Sequence, residues 1–356
     1  MATRIRFRFA QQLRLPEAAT GAVASLVLLC ALVSPSVQAA DKGQKGASNP
    51  PTLVWPSPPD APRIAYVQSL RGPADFGIKK SIFGRFSSWL TGSKEGQLKK
   101  PFGISFDEKG NLCFTDTGAN VVYWFDRPKK TLHHYEQVGD VVFASPVAVI
   151  KRGQTLYVAD SGLGCVVMFD ERGHLISEIK EGLVRPAGLA LTGNHLFVVD
   201  AEAHAVVILD LQGHLVGRFG GRGSGLGEFN FPSHINADAA GDIFVTDSGN
   251  ARIQVFDTEG HFRRLIGSLG DAPGHLSRPK GVATDGFGHL YVLDAIFDNL
   301  QLFDQEGRLL MVLGHAGDQP GEFWLPNGIA INASNEIFVA DSYNRRIQVF
   351  KFIGQP

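Results

Sequence analysis

Six aspartates close apolar runs at near-even intervals: Asp116, Asp160, Asp200, Asp247, Asp294 and Asp341, spaced 44, 40, 47, 47 and 47 residues apart. A proline precedes each by 14 or 15 residues (Pro101, Pro146, Pro186, Pro232, Pro279, Pro326). A second aspartate follows the first five by ten residues (Asp126, Asp170, Asp210, Asp257, Asp304), and Lys351 holds that place in the sixth. Repeats of this length are stacking units, because one unit alone cannot bury its apolar faces. Each reads as four short strands. Strand a follows the proline ("GVATD"), strand b is the run ending at the aspartate ("LYVLD"), strand c is "RIQVF", and strand d follows a Gly turn ("GHFRRLIGSLG"). Six such sheets set around an axis bury both faces of each, so the predicted fold is all-β, a six-bladed β-propeller. The 41 glycines and 19 prolines of the 356 residues fit so turn-rich a chain.

The last repeat ends at "KFIGQP", soon after its strand c, and lacks a strand d. Near the other end, "PRIAYVQSLRG" (residues 62–72) is similar to the strand-d segment "FRRLIGSLG". The N-terminal strand is therefore expected to complete blade six and cover its unpaired edge. Before it, residues 1–39 read as an export signal, with Arg4, Arg6, Arg8 and Arg14, an apolar run from Ala22 to Val33, and small residues at "VQA". That run is too short for a comfortable membrane span. A Pro-rich tether covers 40–62 and the propeller 63–356. The expected location is the periplasm. Lipidation of Cys30 is not expected, because Leu29 is bulky where a small neighbour is wanted.

Removing 1–39 takes away four Arg and Glu17, leaving 30 basic and 34 acidic residues. No basic surplus remains for a nucleic-acid backbone, so no nucleic-acid partner is expected. Cys113 and Cys165 lie at unlike positions of adjacent repeats and are read as buried apolar residues rather than as a disulfide.

The segments "DSGNARIQVFD" and "DSYNRRIQVF", with "GLGEFNFP" and "PGEFWLP" upstream, resemble NHL repeats. The resemblance spans roughly 63–356. It is nearest in repeats four and six, and repeats two, three and five lack the Asn and Arg of the turn. It implies an exported six-bladed propeller.

Strand b ends at the aspartate and strand c starts about five residues later, so Asp247 faces Arg252 and Asp341 faces Arg346. An exposed pair of this kind contributes about 0.2–1 kcal/mol. The aspartate is read mainly as a turn fastener bonded to loop N–H groups, a role open to all six repeats.

The b–c turns and the d-to-a connections share one face of the ring, the face on which function is expected. Its candidate binding residues are Asn120, His204, Arg252, Ile296, Phe297, Asp298, Arg345 and Arg346. One connection, 71–100, is long. Within it "SIFGRFSSWL" places Ile82, Phe83, Phe86, Trp89 and Leu90 on one helical stripe. A short amphipathic helix (about 78–92) is expected before blade one, packed on the ring near Ile296 and Phe297. The sequence offers only two routes to a membrane, this 82–90 segment and a lipidated Cys30.

The starts of strand a carry Gly or Ala at the third position in five repeats. The fourth breaks the pattern with His234, and its polar neighbours at the tunnel mouth are Ser233, Asn236, Lys280 and Asn327. Amidating lyases, which resemble NHL propellers, hold zinc with histidines, and lactonase-type propellers hold calcium with Glu, Asn and Asp. Here only His204 and His234 offer themselves, with no third ligand, so both are weak metal candidates. The sequence therefore favours a non-catalytic binding or scaffold module for a protein, peptide or glycan, with no catalytic residues and no cofactor. The alternative is a metal-dependent propeller enzyme, amidating-lyase-like or lactonase-like, with zinc or calcium near His234.

Overall fold

The structure is a computed structural model that describes residues 53–78 and 96–354. The export signal, the first part of the tether and the 82–90 stripe lie outside the described residues.

Six antiparallel sheets form the blades, each running a-b-c-d from the axis outward, and Gln137–Val138 pairs with Val141–Val142 as a separate two-stranded sheet. Blade one comprises Pro101–Phe106, Leu112–Asp116, Val121–Asp126 and Thr131–Tyr135. Blade four comprises His234–Ala237, Ile243–Asp247, Arg252–Phe256 and Phe262–Ile266. The strands a of blades two, three and five are Pro146–Arg152, Pro186–Thr192 and Pro279–Thr284. Blade six has Pro326–Ile331, Glu336–Asp341 and Arg346–Phe352 from the C-terminal end. Its fourth strand is Ile64–Leu70, antiparallel to the last, with Ile64 opposite Phe352 and Leu70 opposite Ile347. The amino-terminal strand thus closes the ring, and Val54–Trp55 pairs outside it as a fifth strand. Ile64 and Leu70 are buried, and each such side chain stabilises the seam by about 1.5–3 kcal/mol.

The apolar clusters lie between neighbouring blades rather than within one. Val147, Tyr157 and Val166 of blade two pack on Leu189, Leu196 and Val207 of blade three. Leu70, Phe338 and Ile347 of blade six pack on Leu112 and Phe114 of blade one. Cys113 and Cys165 are separate buried thiols in the core between blades one and two.

The expected fold class needs one correction. Among the described residues there is no α-helix, only a single 3-10 turn at Ser248–Asn250. On either flank of the long connection the described chain is non-helical, with a turn over 73–77 and another at Gly96. No described helix is long and apolar enough to cross a membrane.

The innermost strands approach closely enough to need glycine. A Cβ on Gly328 would stand 2.1 Å from the carbonyl oxygen of Phe102, and one on Gly103 2.4 Å from that of Val147. These glycines do not leave room for a ligand; they let neighbouring backbones touch and draw the ring tight around its axis.

Candidate functional site

Each repeat aspartate is fully buried and bonds in two directions. Asp116 accepts from Gly118 and Ala119 N–H in its own turn (3.0 and 3.1 Å), and from Lys99 and Lys100 N–H just before strand a (2.6 and 2.8 Å). Asp160 does the same with Ala144 and Ser145, and Asp294 with Ser277 and Arg278. Asp200 takes Val184 and Arg185 N–H. The carboxylate thereby ties each b–c turn to the d-to-a connection that enters its own blade.

Arg252 and Arg346 are buried rather than exposed. Arg346 Nε donates to Asp341 (2.7 Å), and its guanidinium donates to the carbonyls of Asp318, Gln319 and Glu322. Arg252 repeats this with Asp247, Ser224, Gly225 and Glu228. Both arginines hold loops and present no charge to a partner.

The fourth residue after each aspartate has the left-handed backbone in all six blades: Asn120, Gly164, His204, Ala251, Asp298 and Arg345, with φ between 48° and 66°. That conformation explains the Asn, Gly, His and Asp at this place. The side chains then divide by blade parity. Asn120, oriented to donate, bonds the Ala144 carbonyl at 3.0 Å. His204 Nδ1 accepts from Phe231 N–H (3.1 Å), and Asp298 from Leu325 N–H (2.6 Å). These bonds fasten blade one to two, three to four and five to six. The other three joints use the residue after the aspartate. Ser248 Oγ donates to the Pro279 carbonyl and Ser342 Oγ to that of Pro101, each at 2.6 Å, and Ser161 Oγ donates to Pro186. The six joints of the ring therefore alternate between two kinds of fastening. Arg345 is exposed on the same face, as is Ile296, with Phe297 half-buried.

Inside this face lies a cavity of about 500 Å³. Its lining includes Lys100, Phe102, Arg185, Ser233, His234, Arg278 and Lys280. A second cavity of about 340 Å³ continues along the axis, and Asn236 lines it. Phe102 of blade one and His234 of blade four stack across the axis, ring centres 6.2 Å apart and 20° from parallel. His234 borders both cavities and forms part of the floor of the upper one.

A relay fixes the His234 tautomer. Ser248 gives its only proton to the Pro279 carbonyl, so it accepts from Ser233 at 2.7 Å. Ser233, its proton used, accepts from His234 Nδ1–H at 3.1 Å. Nε2 carries the lone pair, and it is sealed from solvent without a partner, as is Oδ1 of Asn327. Burial first, then the charge of Lys280, push the imidazole down to about 3, against a pull the other way from neighbouring Asn327, so it is neutral at pH 7. Burial, reinforced by Arg278, pushes the Lys280 amine down to about 8, against a pull the other way from Asp294. About a quarter of the amine is then free base at pH 7.5.

The sequence reading brought Ser233, His234 and Lys280 together. It missed Lys100, Arg185 and Arg278, whose signal is plain in retrospect: they are the residues just before the strand-a prolines of blades one, three and five.

Metal donors do not gather at the mouth. Among the described residues, the one group of three close enough for a shared cation is Asp257, Glu259 and His261, within 4.8 Å of one another. The expectation of no cofactor is corrected to that extent, since this set is of metal-ligating type. It occupies the c–d turn, next to Phe256, which pairs with Ile243; His234 pairs with Thr246 at the other end of the sheet. The set is thus on the face opposite the mouth. His204 and His234 share no such group, so the mouth does not fit zinc or calcium.

This is an NHL-repeat protein with a six-bladed propeller fold: the NHL repeat family model matches residues 229–256 and 323–350. A search of curated proteins returns no match. Among solved structures the fold is similar to a streptogramin B lyase (14% identity, TM-score 0.54, covering 71% of this chain and 94% of that one). It is also similar to a catalytically inactive histidine-to-alanine variant of virginiamycin B lyase from Staphylococcus aureus with quinupristin (13%, 0.53, 71% and 95%). An auxiliary nutrient binding protein from Bacteroides thetaiotaomicron is a third (13%, 0.56, 72% and 70%). At such identities the likeness establishes the fold alone. The expectation of a non-catalytic binding or scaffold module, and with it the preference against an enzyme, is nonetheless overturned. The fold is one on which lyases are built, and the chain carries a metal-ligating type of cluster.

Proposed function

We propose that the protein is an enzyme of the lyase class that works at the tunnel mouth, with Lys280 as its general base. The carrying observation is an amine in a cavity, held near 8 by burial and a neighbouring cation, beside a histidine held neutral. A base poised near the working pH is what proton abstraction requires. The Lys280 lone pair takes a proton from a carbon next to a carbonyl or carboxylate. The electron pair left behind forms the double bond as the leaving group departs with its own bonding pair. The ammonium returns the proton to that group. His234 does not supply the proton, since it carries none to spare at neutral pH; it shapes the floor of the cavity with Phe102. No metal enters these steps, because the mouth lacks the donors for one.

The test uses 5-nitrobenzisoxazole, a neutral probe whose C–H proton a desolvated base removes with N–O cleavage to a coloured phenolate. The expected rate rises through an inflection near pH 8, disappears in Lys280→Met and persists in Lys109→Met. No rate above Lys280→Met between pH 6 and 10 refutes the proposal, as does an inflection above 10. The charged start and apolar run of residues 1–39 support work in the periplasm; a reporter fused after residue 62 that stays in the cytoplasm contradicts export.

A further inference from the structure

The residue before the strand-a proline alternates around the ring: Lys100, Ser145, Arg185, Phe231, Arg278, Leu325. Cations stand on blades one, three and five, and neutral residues on two, four and six. The joints described above share this alternation, so the mouth has pseudo-threefold symmetry in both charge and bonding. Phe231 and Leu325 hold positive φ (46° and 48°), a conformation that bulky side chains rarely adopt, at equivalent places in blades four and six.

The charges of the two cavities differ in kind. In the inner one Lys151 meets Glu171 at 2.8 Å and Asp107 at 3.4 Å, and Arg152 meets Glu108 at 3.2 Å. At the mouth, among the described residues, no carboxylate is within ion-pair distance of Lys100, Arg185, Arg278 or Lys280. No carboxylate lines that cavity, although hydroxyls of Thr117, Ser145, Ser161 and Ser233 belong to its lining residues. The Lys100 ammonium lies over the Tyr343 ring, 4.9 Å from its centre, and none of the four cations meets a carboxylate, so above Phe102 and neutral His234 they form a cationic mouth that favours a ligand bringing negative charge. Two arginine forks suit planar oxyanions. The volume is in the usual range for a small-molecule site.

We infer that the mouth binds a small organic polyanion, bearing two or three carboxylate or phosphate groups, with Lys100, Arg185 and Arg278 as a three-point collar and Lys280 beneath. This deepens the lyase reading and rests on it for chemistry: a carboxylate in the collar acidifies the neighbouring C–H that Lys280 removes, since the cations stabilise charge developing on its oxygens.

Calorimetric titration of the full chain with citrate, and separately with pyrophosphate, tests the inference. Saturable binding that weakens with added salt is expected, with roughly tenfold losses in each of Arg185→Gln and Arg278→Gln. Arg185→Lys is expected to retain part of the affinity, and Arg152→Gln, at the inner cavity, all of it. Preference for citrate assigns carboxylates, and preference for pyrophosphate assigns phosphates. Absence of binding to both at millimolar concentration overturns the collar, as does equal affinity in folded Arg185→Gln and Arg278→Gln. The two readings fail separately: elimination of the neutral probe without anion binding sinks the collar alone, and anion binding without elimination sinks the base alone.

Discussion

Lowering the pH places a measurable load on one half-buried ring. His234 is held near 3 in the folded protein and returns to an ordinary value near 6.5 on unfolding. Its folded pKa is depressed, so the unfolded chain takes up a proton that the native state refuses. Stability from this source is intact above pH 6.5 and is lost as the pH falls toward 3. At 1.36 kcal/mol per unit, the loss is about 1.4 kcal/mol at pH 5.5 and about 3.3 kcal/mol at pH 4. Urea denaturation of the wild type and of His234→Asn at pH 7.5, 5.5 and 4 isolates it. Carboxylates common to both proteins titrate alike and cancel in the difference. The stability difference between the two proteins is expected to shift by these amounts in favour of His234→Asn as the pH falls. Parallel pH profiles refute an imidazole held neutral at the mouth.

Two further outcomes follow from the packing. Asp341→Ala leaves the Arg346 guanidinium buried beside an emptied site, with an expected loss of about 3–5 kcal/mol by denaturant titration; a loss under 1 kcal/mol shows that Arg346 escapes to water. Gly328→Ala forces a Cβ against the Phe102 carbonyl, with an expected loss of about 1–3 kcal/mol, and unchanged stability contradicts so tight an inner ring.

Much of the fold is legible because it is local and repeated. The prolines and aspartates mark strand starts and ends, and the missing strand d points to the amino terminus, where Ile64–Leu70 indeed closes blade six. What escaped depends on how blades meet. Arg252 and Arg346 read as exposed because the carbonyls of Ser224, Gly225 and Glu228, or of Asp318, Gln319 and Glu322, come from the preceding connection and wrap the guanidinium. His204 and Asp298 looked like variable surface residues, yet each receives an N–H from the next blade's entry. The collar is spread over residues 100, 185 and 278, and only closure of the ring sets those side chains around one cavity. His234 stood out by breaking a glycine pattern, but its neutrality follows from burial and from Lys280, neither of which a single sequence position reveals.

The most direct measurement is the titration of the Lys280 side chain itself. Lysine-selective NMR of the full chain, with the signal assigned by its loss in Lys280→Met, reports the amine's own midpoint. A midpoint near 8 is predicted, against an ordinary value near 10.4. A midpoint at or above 10 contradicts a base poised at the mouth, and with it the proposed chemistry.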